Sequence, residues 1–161
     1  MRTDETLNMT TPTDLEIFWT RIFDARRDLV FDAMTKPELI RRWLLGPEGW
    51  TMPVCEVELS VGGAYRYVGH HEKKGEMGMG GVFREIIKPE RIVNTEKFEQ
   101  SWYPGEALAT IVLTEQGGKT ILKTAMLYES KEARDGVIKS NMEAGLQAGY
   151  NRLENILAEI G

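Results

Sequence analysis

The spacing of apolar positions along the chain switches between a period of two and one near 3.6, and each switch marks an element boundary. Leu15 to Phe23 is rich in aromatic and β-branched residues and predicts a strand. Both of its parities are apolar, Ile17 and Trp19 on one and Phe18 and Ile22 on the other, so the pattern does not choose the inward face. Asp24 to Met34 carries Leu29, Val30, Ala33 and Met34 at helical spacing and predicts a short helix. A second follows, with Thr35 and Glu38 placed for a capping box, Pro37 in the first turn, Leu39, Ile40, Trp43 and Leu44 on one side, and Gly46-Pro47 as the stop.

From Thr51 the period becomes two. Val54 to Val61 places Cys55, Val57, Leu59 and Val61 on one face and Glu56 and Glu58 on the other, the one-side-buried pattern of antiparallel sheet. Gly62-Gly63 turns the chain into a strand from Ala64 to His71, with Tyr65 and Tyr67 sharing a face. Met77 to Ile87, Arg91 to Phe98, Ala107 to Glu115 and Thr120 to Glu129 are the next strands, the last two a hairpin across Gln116-Gly117-Gly118. Consecutive strands with short connections predict a curved antiparallel sheet of six or seven strands, and its inner face needs a cover.

The cover is the C-terminal stretch. Ser130 is a helix start, acidic Glu132 follows in the first turn, and no proline interrupts the chain to its end. From Ile138 and Met142 through Leu146, Tyr150 and Leu153 to Ile160, apolar residues fall within an arc of roughly 140°. This predicts one helix of about 29 residues, some 43 Å long. Gly145 and Gly149 lie on the same arc, where each costs about 1 kcal/mol relative to alanine. They therefore predict either the close approach of another backbone or open space beside the helix.

A length of 161 residues and a 42% hydrophobic share fit one domain with a real core, assigned to residues 15–161, with residues 1–14 as a disordered polar tail. A formal charge of −5 with mixed signs argues against nucleic acid or an anionic membrane as partner. No apolar run reaches the roughly 18 residues of a membrane span, and the first residues lack the features of a signal peptide, so the expected location is cytoplasmic. Cys55 is the single cysteine, which rules out an internal disulfide, and its parity makes it a core thiol. His70 and His71 are neighbours on a strand and point to opposite faces; no set has metal-ligand spacing, and neither a metal nor a cofactor is expected. The glycines of Gly75 to Gly81 lack the Gly-Lys-Ser/Thr ending of a phosphate loop.

Several segments resemble one family. They are Arg21-Ile22-Phe23-Asp24-Ala25, Leu29 to Ala33, Arg42-Trp43 with Gly46-Pro47, Gly62-Gly63-Ala64-Tyr65-Arg66, Gly81 to Ile86, Pro89 to Val93, and Met142 to Gly145 leading into Tyr150 and Arg152-Leu153. In this order, from Leu15 to the C-terminus, they are similar to the bacterial members of the activator of heat-shock protein 90 ATPase homologue 1-like family, of the START-like (SRPBCC, birch-pollen-allergen-like) superfamily. The resemblance implies an α+β helix-grip fold: a curved sheet with two short helices, wrapped around a long C-terminal helix, with an apolar cavity between. A stress-response role and a chaperone partner are further implications.

Methionines and flat rings on the expected inner faces suit such a cavity. The candidate lining is Trp43, Tyr65, Tyr67, Met77, Met79, Phe83, Trp102, Met126, Met142, Gly145, Leu146 and Tyr150. The same stripe on its own reads as ordinary core, and the resemblance is what favours a cavity. Glu85 shares nominal parity with Met77, Met79, Gly81 and Phe83, which makes it the candidate interior acid for proton transfer or ligand anchoring; a structural salt bridge is the alternative. His71 is expected to be exposed. Three functions follow: binding of a lipophilic small molecule between helix and sheet, a cavity enzyme of cyclase, dehydratase or hydrolase type, and regulation of a chaperone ATPase. The balance lies with a binding protein rather than an enzyme, monomeric or homodimeric.

Overall fold

A computed structural model describes residues 7–44 and 48–161. The expected helix stop at Gly46-Pro47 and the first six residues of the expected tail lie outside the described residues. The chain forms β1 (Asn8–Thr10), β2 (Glu16–Phe23), α1 (Arg27–Thr35), α2 (Pro37–Trp43), β3 (Trp50–Val57), β4 (Ala64–His71), β5 (Gly75–Ile87), β6 (Arg91–Phe98), β7 (Ala107–Gln116), β8 (Lys119–Leu127), α3 (Lys131–Ile138) and α4 (Met142–Ile160).

The sheet has eight strands in the order β1-β2-β8-β7-β6-β5-β4-β3, and every neighbouring pair is antiparallel. After β2 the chain crosses by α1 and α2 to the far edge, then meanders back from β3 to β8, which closes on β2. The count exceeds the expected six or seven because Asn8–Thr10, inside the stretch expected to be a loose tail, pairs with Phe18–Thr20, and Leu7 is buried.

The inward parity of β2 is Ile17, Trp19, Arg21 and Phe23, all buried. β8 answers with Leu122, Thr124 and Met126, and β7 with Ala107, Ala109 and Leu113. Onto this surface α4 lays Tyr150, Leu153, Ile156 and Leu157. The Gln116–Lys119 hairpin turns through Gly117 and Gly118 at φ of 60° and 77°, the left-handed backbone that such a two-residue turn requires.

Several local expectations are corrected. Leu59 and Val61 do not extend β3, which ends at Val57; they sit in the following turn, 42% and 68% exposed. The capping box does not form, because the Thr35 hydroxyl donates back to the Phe31 carbonyl at 2.8 Å and Lys36 occupies the cap position without a side-chain bond. The C-terminal helix is interrupted. Ser130 caps α3 as expected, accepting from the Ala133 N–H at 3.1 Å, but Asn141 adopts φ 63°, ψ 34°, and α4 starts afresh from it. At 19 residues, α4 spans about 28 Å rather than 43 Å.

Candidate functional site

The predicted lining residues separate into two groups. Trp43, Met126 and Tyr150 belong to closed core. Tyr150 accepts a hydrogen bond from Trp19 Nε1 at 2.9 Å, stacks on Trp43 at 5.9 Å and meets Phe23 edge-on at 5.5 Å. The Trp43 indole N–H donates to the Ala33 carbonyl at 2.8 Å. Gly149 packs at this junction, where a Cβ would stand 3.4 Å from the Trp43 carbonyl oxygen, an ordinary contact distance. These residues join β2, α2 and α4.

The second group lies on the inner face of β4, β5 and β6. Tyr65 and Phe83 are buried and 5.4 Å apart, and Tyr67 leans on Tyr65 at 5.1 Å. Met79 is half-buried, placed by its pairing with Tyr67 on one side and Phe98 on the other. Met142 and Leu146, in the first turns of α4, are half-buried too, and Gly145 between them faces open space. Trp102 is half-exposed against Phe98 at 4.8 Å, its N–H donating to the Gly136 carbonyl, and Met77 is exposed towards the strand end. Tyr67, Met79 and Phe98 on the sheet and Met142 and Leu146 on α4 are thus each incompletely covered, whereas the β2–β8 end is sealed.

Glu85 is not among these residues. It pairs with Arg91 at 2.6 Å, both side chains exposed. Parity fails because the register of β5 against β6 shifts between Phe83, opposite Asn94, and Glu85, opposite Val93. One extra residue in β5 turns every side chain beyond it to the other face.

The interior acid is Glu96. On β6 it shares the inward parity of Ile92 and Phe98 and stands opposite Ala107 of β7. Protein surrounds it, yet it keeps some accessible surface. Among the described residues it has neither an ion-pair nor a hydrogen-bond partner. Burial alone pushes its carboxyl up to about 7. Its charge acts on Tyr65, Tyr67, Tyr103, Tyr128 and Tyr150, all of which burial pushes above the ordinary phenol value, Tyr150 to about 12. The Tyr65 hydroxyl donates to the Thr95 carbonyl at 2.5 Å and accepts from Asn94 at 3.1 Å, whereas the Tyr103 hydroxyl is buried without a partner.

Glu96 escaped the sequence reading because both parities of β6 mix apolar and polar residues, Val93 and Thr95 against Ile92, Asn94 and Glu96. The usable signal was a mid-strand acid two residues before Phe98, in phase with Ile92.

Other candidates resolve simply. His71 Nδ1 accepts from the backbone N–H groups of Lys73 and Lys74 at the strand end, and its ring lies against Trp50. Cys55 is buried, and burial pushes its thiol up. Among the described residues no group of three or more His, Cys, Asp or Glu could hold a metal ion, and no helix is long and apolar enough to cross a membrane. A surface concavity of about 580 Å³ on the outer face is bordered by the Arg66–Glu99 ion pair, 2.7 Å, which satisfies its own charges.

Residues 24–158 match the family described as activator of Hsp90 ATPase homolog 1-like protein. A Rhodobacter sphaeroides protein of solved structure is 29% identical, with 95% of this chain and 98% of that one covered and a TM-score of 0.89. A Chromobacterium violaceum protein is 25% identical over 90% and 98% of the two chains, TM-score 0.78. A structure described as an HSP90 activator from Plasmodium falciparum shares the fold at 22% identity, 89% and 96% coverage and TM-score 0.67. No curated protein matches the chain.

Proposed function

The chain belongs to the activator of Hsp90 ATPase homolog 1-like family, and from that footing we propose that it binds a lipophilic small molecule between α4 and the inner face of β4–β6. The observation that carries this reading is Glu96, a carboxyl without a partner among the described residues, on the inward parity of β6 that also carries half-covered Phe98. A buried polar group normally has a partner, and a fold that leaves one without tends to reserve it for something that binds. Tyr67, Met79, Phe98, Met142 and Leu146 supply apolar and adaptable contacts, worth about 25 cal/mol per Å² covered before the costs of association.

Native mass spectrometry of gently purified full chain, followed by extraction of anything bound, tests the proposal. A stoichiometric lipophilic passenger is expected, and Met142→Arg should lose it by placing a charge on the apolar border. A folded Met142→Arg protein that retains the passenger would remove α4 from the site.

A second reading is regulation of a chaperone ATPase, favoured by the family and by the fold shared with the Plasmodium falciparum activator. Its test is the ATPase rate of a purified Hsp90-class chaperone with and without this protein. Stimulation that survives Glu96→Gln would separate a chaperone-binding surface from the ligand site.

A further inference from the structure

The groups around Glu96 discriminate among ligands. Among the described residues no basic side chain pairs with its carboxyl, so an anionic headgroup would meet an uncompensated like charge in a water-poor site. Two sets of aromatic rings belong to this part of the fold. From β4, two strands from β6, come Tyr65 and Tyr67. From the end of β6, the loop after it and the residue after β8, Phe98, Trp102, Tyr103 and Tyr128 form a chain of ring contacts at 4.8, 5.2 and 5.7 Å. Glu96 acts electrostatically on tyrosines of both sets. The buried Tyr103 hydroxyl, which has no partner among the described residues, adds a second polar atom.

We propose that Glu96 and these rings accept an organic cation, an alkyl- or arylammonium group whose apolar part lies along Met79, Met142 and Leu146. The inference rests on the ligand-binding reading and narrows its ligand class. The negative faces of aromatic rings attract a cation, most strongly where water is excluded, and an ionised carboxylate among them adds its full charge. A neutral ligand of the same shape gains the apolar contact but neither of these terms.

The site has a built-in pH dependence. The titratable groups on which the charge of Glu96 acts are Tyr65 and Tyr67 from β4, Tyr103 from the loop after β6, Tyr128 after β8 and, most weakly, Tyr150 in the sealed core, with Cys55 of β3 paired beside Tyr67. Burial pushes the phenols and the thiol up, so all stay neutral near pH 7. Arg21 of β2, near Tyr150, is held by Asn151 and Glu154 of α4. Of these groups, Glu96 alone changes charge near neutrality.

The test is titration of the full chain, by calorimetry or tryptophan fluorescence, with three probes of similar size: benzyltrimethylammonium, its neutral isostere neopentylbenzene, and benzylsulfonate. At about pH 8 the ammonium should bind at least about tenfold more tightly than the neutral probe, and the sulfonate most weakly. The ammonium preference should shrink as the pH falls to about 6 and Glu96 takes up a proton, and Glu96→Gln should abolish both preference and pH dependence while retaining the neutral probe. Neutral binding equal to or tighter than ammonium binding at pH 8, or tightest binding of the sulfonate, would overturn the cation inference and leave ligand binding standing. If no probe binds, the ligand-binding reading falls together with this one. The probe comparison on the unaltered protein holds even if the variant does not fold.

Discussion

A carboxyl that burial alone holds at about 7, against an ordinary value near 4.5, makes the native state bind more protons than the unfolded chain between those two values. Stability from this group is therefore fully present below about pH 4.5, declines as the pH rises through about 7, and is level above. Replacing Glu96 with glutamine should then stabilise the protein at about pH 8 by on the order of 3 kcal/mol and give no advantage below about pH 4.5. Urea unfolding of both proteins across that range checks it, and a pH-independent difference would mean that Glu96 titrates normally. Glu85→Gln should behave otherwise: the exposed pair with Arg91 is worth less than about 1 kcal/mol, and ligand binding should not change. The two acids were nearly indistinguishable in the sequence. What separates them is a one-residue bulge in β5, a feature that no local composition around Glu85 announces.

At the scale of elements, the interrupted C-terminal helix is the main departure from periodicity. The apolar arc runs on through the break, so spacing alone predicted a continuous rod. The break has a local cause at Ser140 and Asn141, weak helix formers: Ser140 donates its hydroxyl to the Val137 carbonyl, and Asn141 takes the left-handed conformation that asparagine tolerates best after glycine. Asn141→Val should cost about 1–2 kcal/mol, whereas Asn141→Gly should stay within a few tenths, measured by the denaturant midpoint. Equal destabilisation by both would show that the asparagine side chain, not its backbone, makes the joint. The two helical glycines separate: Gly149 lies buried against the Trp43 carbonyl where α4 meets α2, while Gly145 is exposed, with nothing within 4 Å of where a Cβ would stand.

Across the whole molecule, hydrogen exchange should be slowest in β7 and β8, which are flanked by strands over most of their length and lie in the sealed core, and fastest in β1 and around Asn141. Slow exchange in β1 would show that this short edge strand is held by more than its ladder to β2. The element order from β2 to β8, strand spans such as Ala64–His71 and Arg91–Phe98, the Gly117-Gly118 turn and the Ser130 cap followed from the sequence by itself, because periodicity, turn chemistry and capping are set by neighbours along the chain. Tertiary structure alone decided which parity of β2 faces inward, that Asn8–Thr10 joins the sheet, that Tyr150 is sealed against Trp19 and Trp43, and that Glu96 rather than Glu85 is the interior acid. The physical reason is shared: a side chain's face depends on strand register, and register here is settled by pairing between residues far apart in the chain, where one inserted residue inverts everything beyond it.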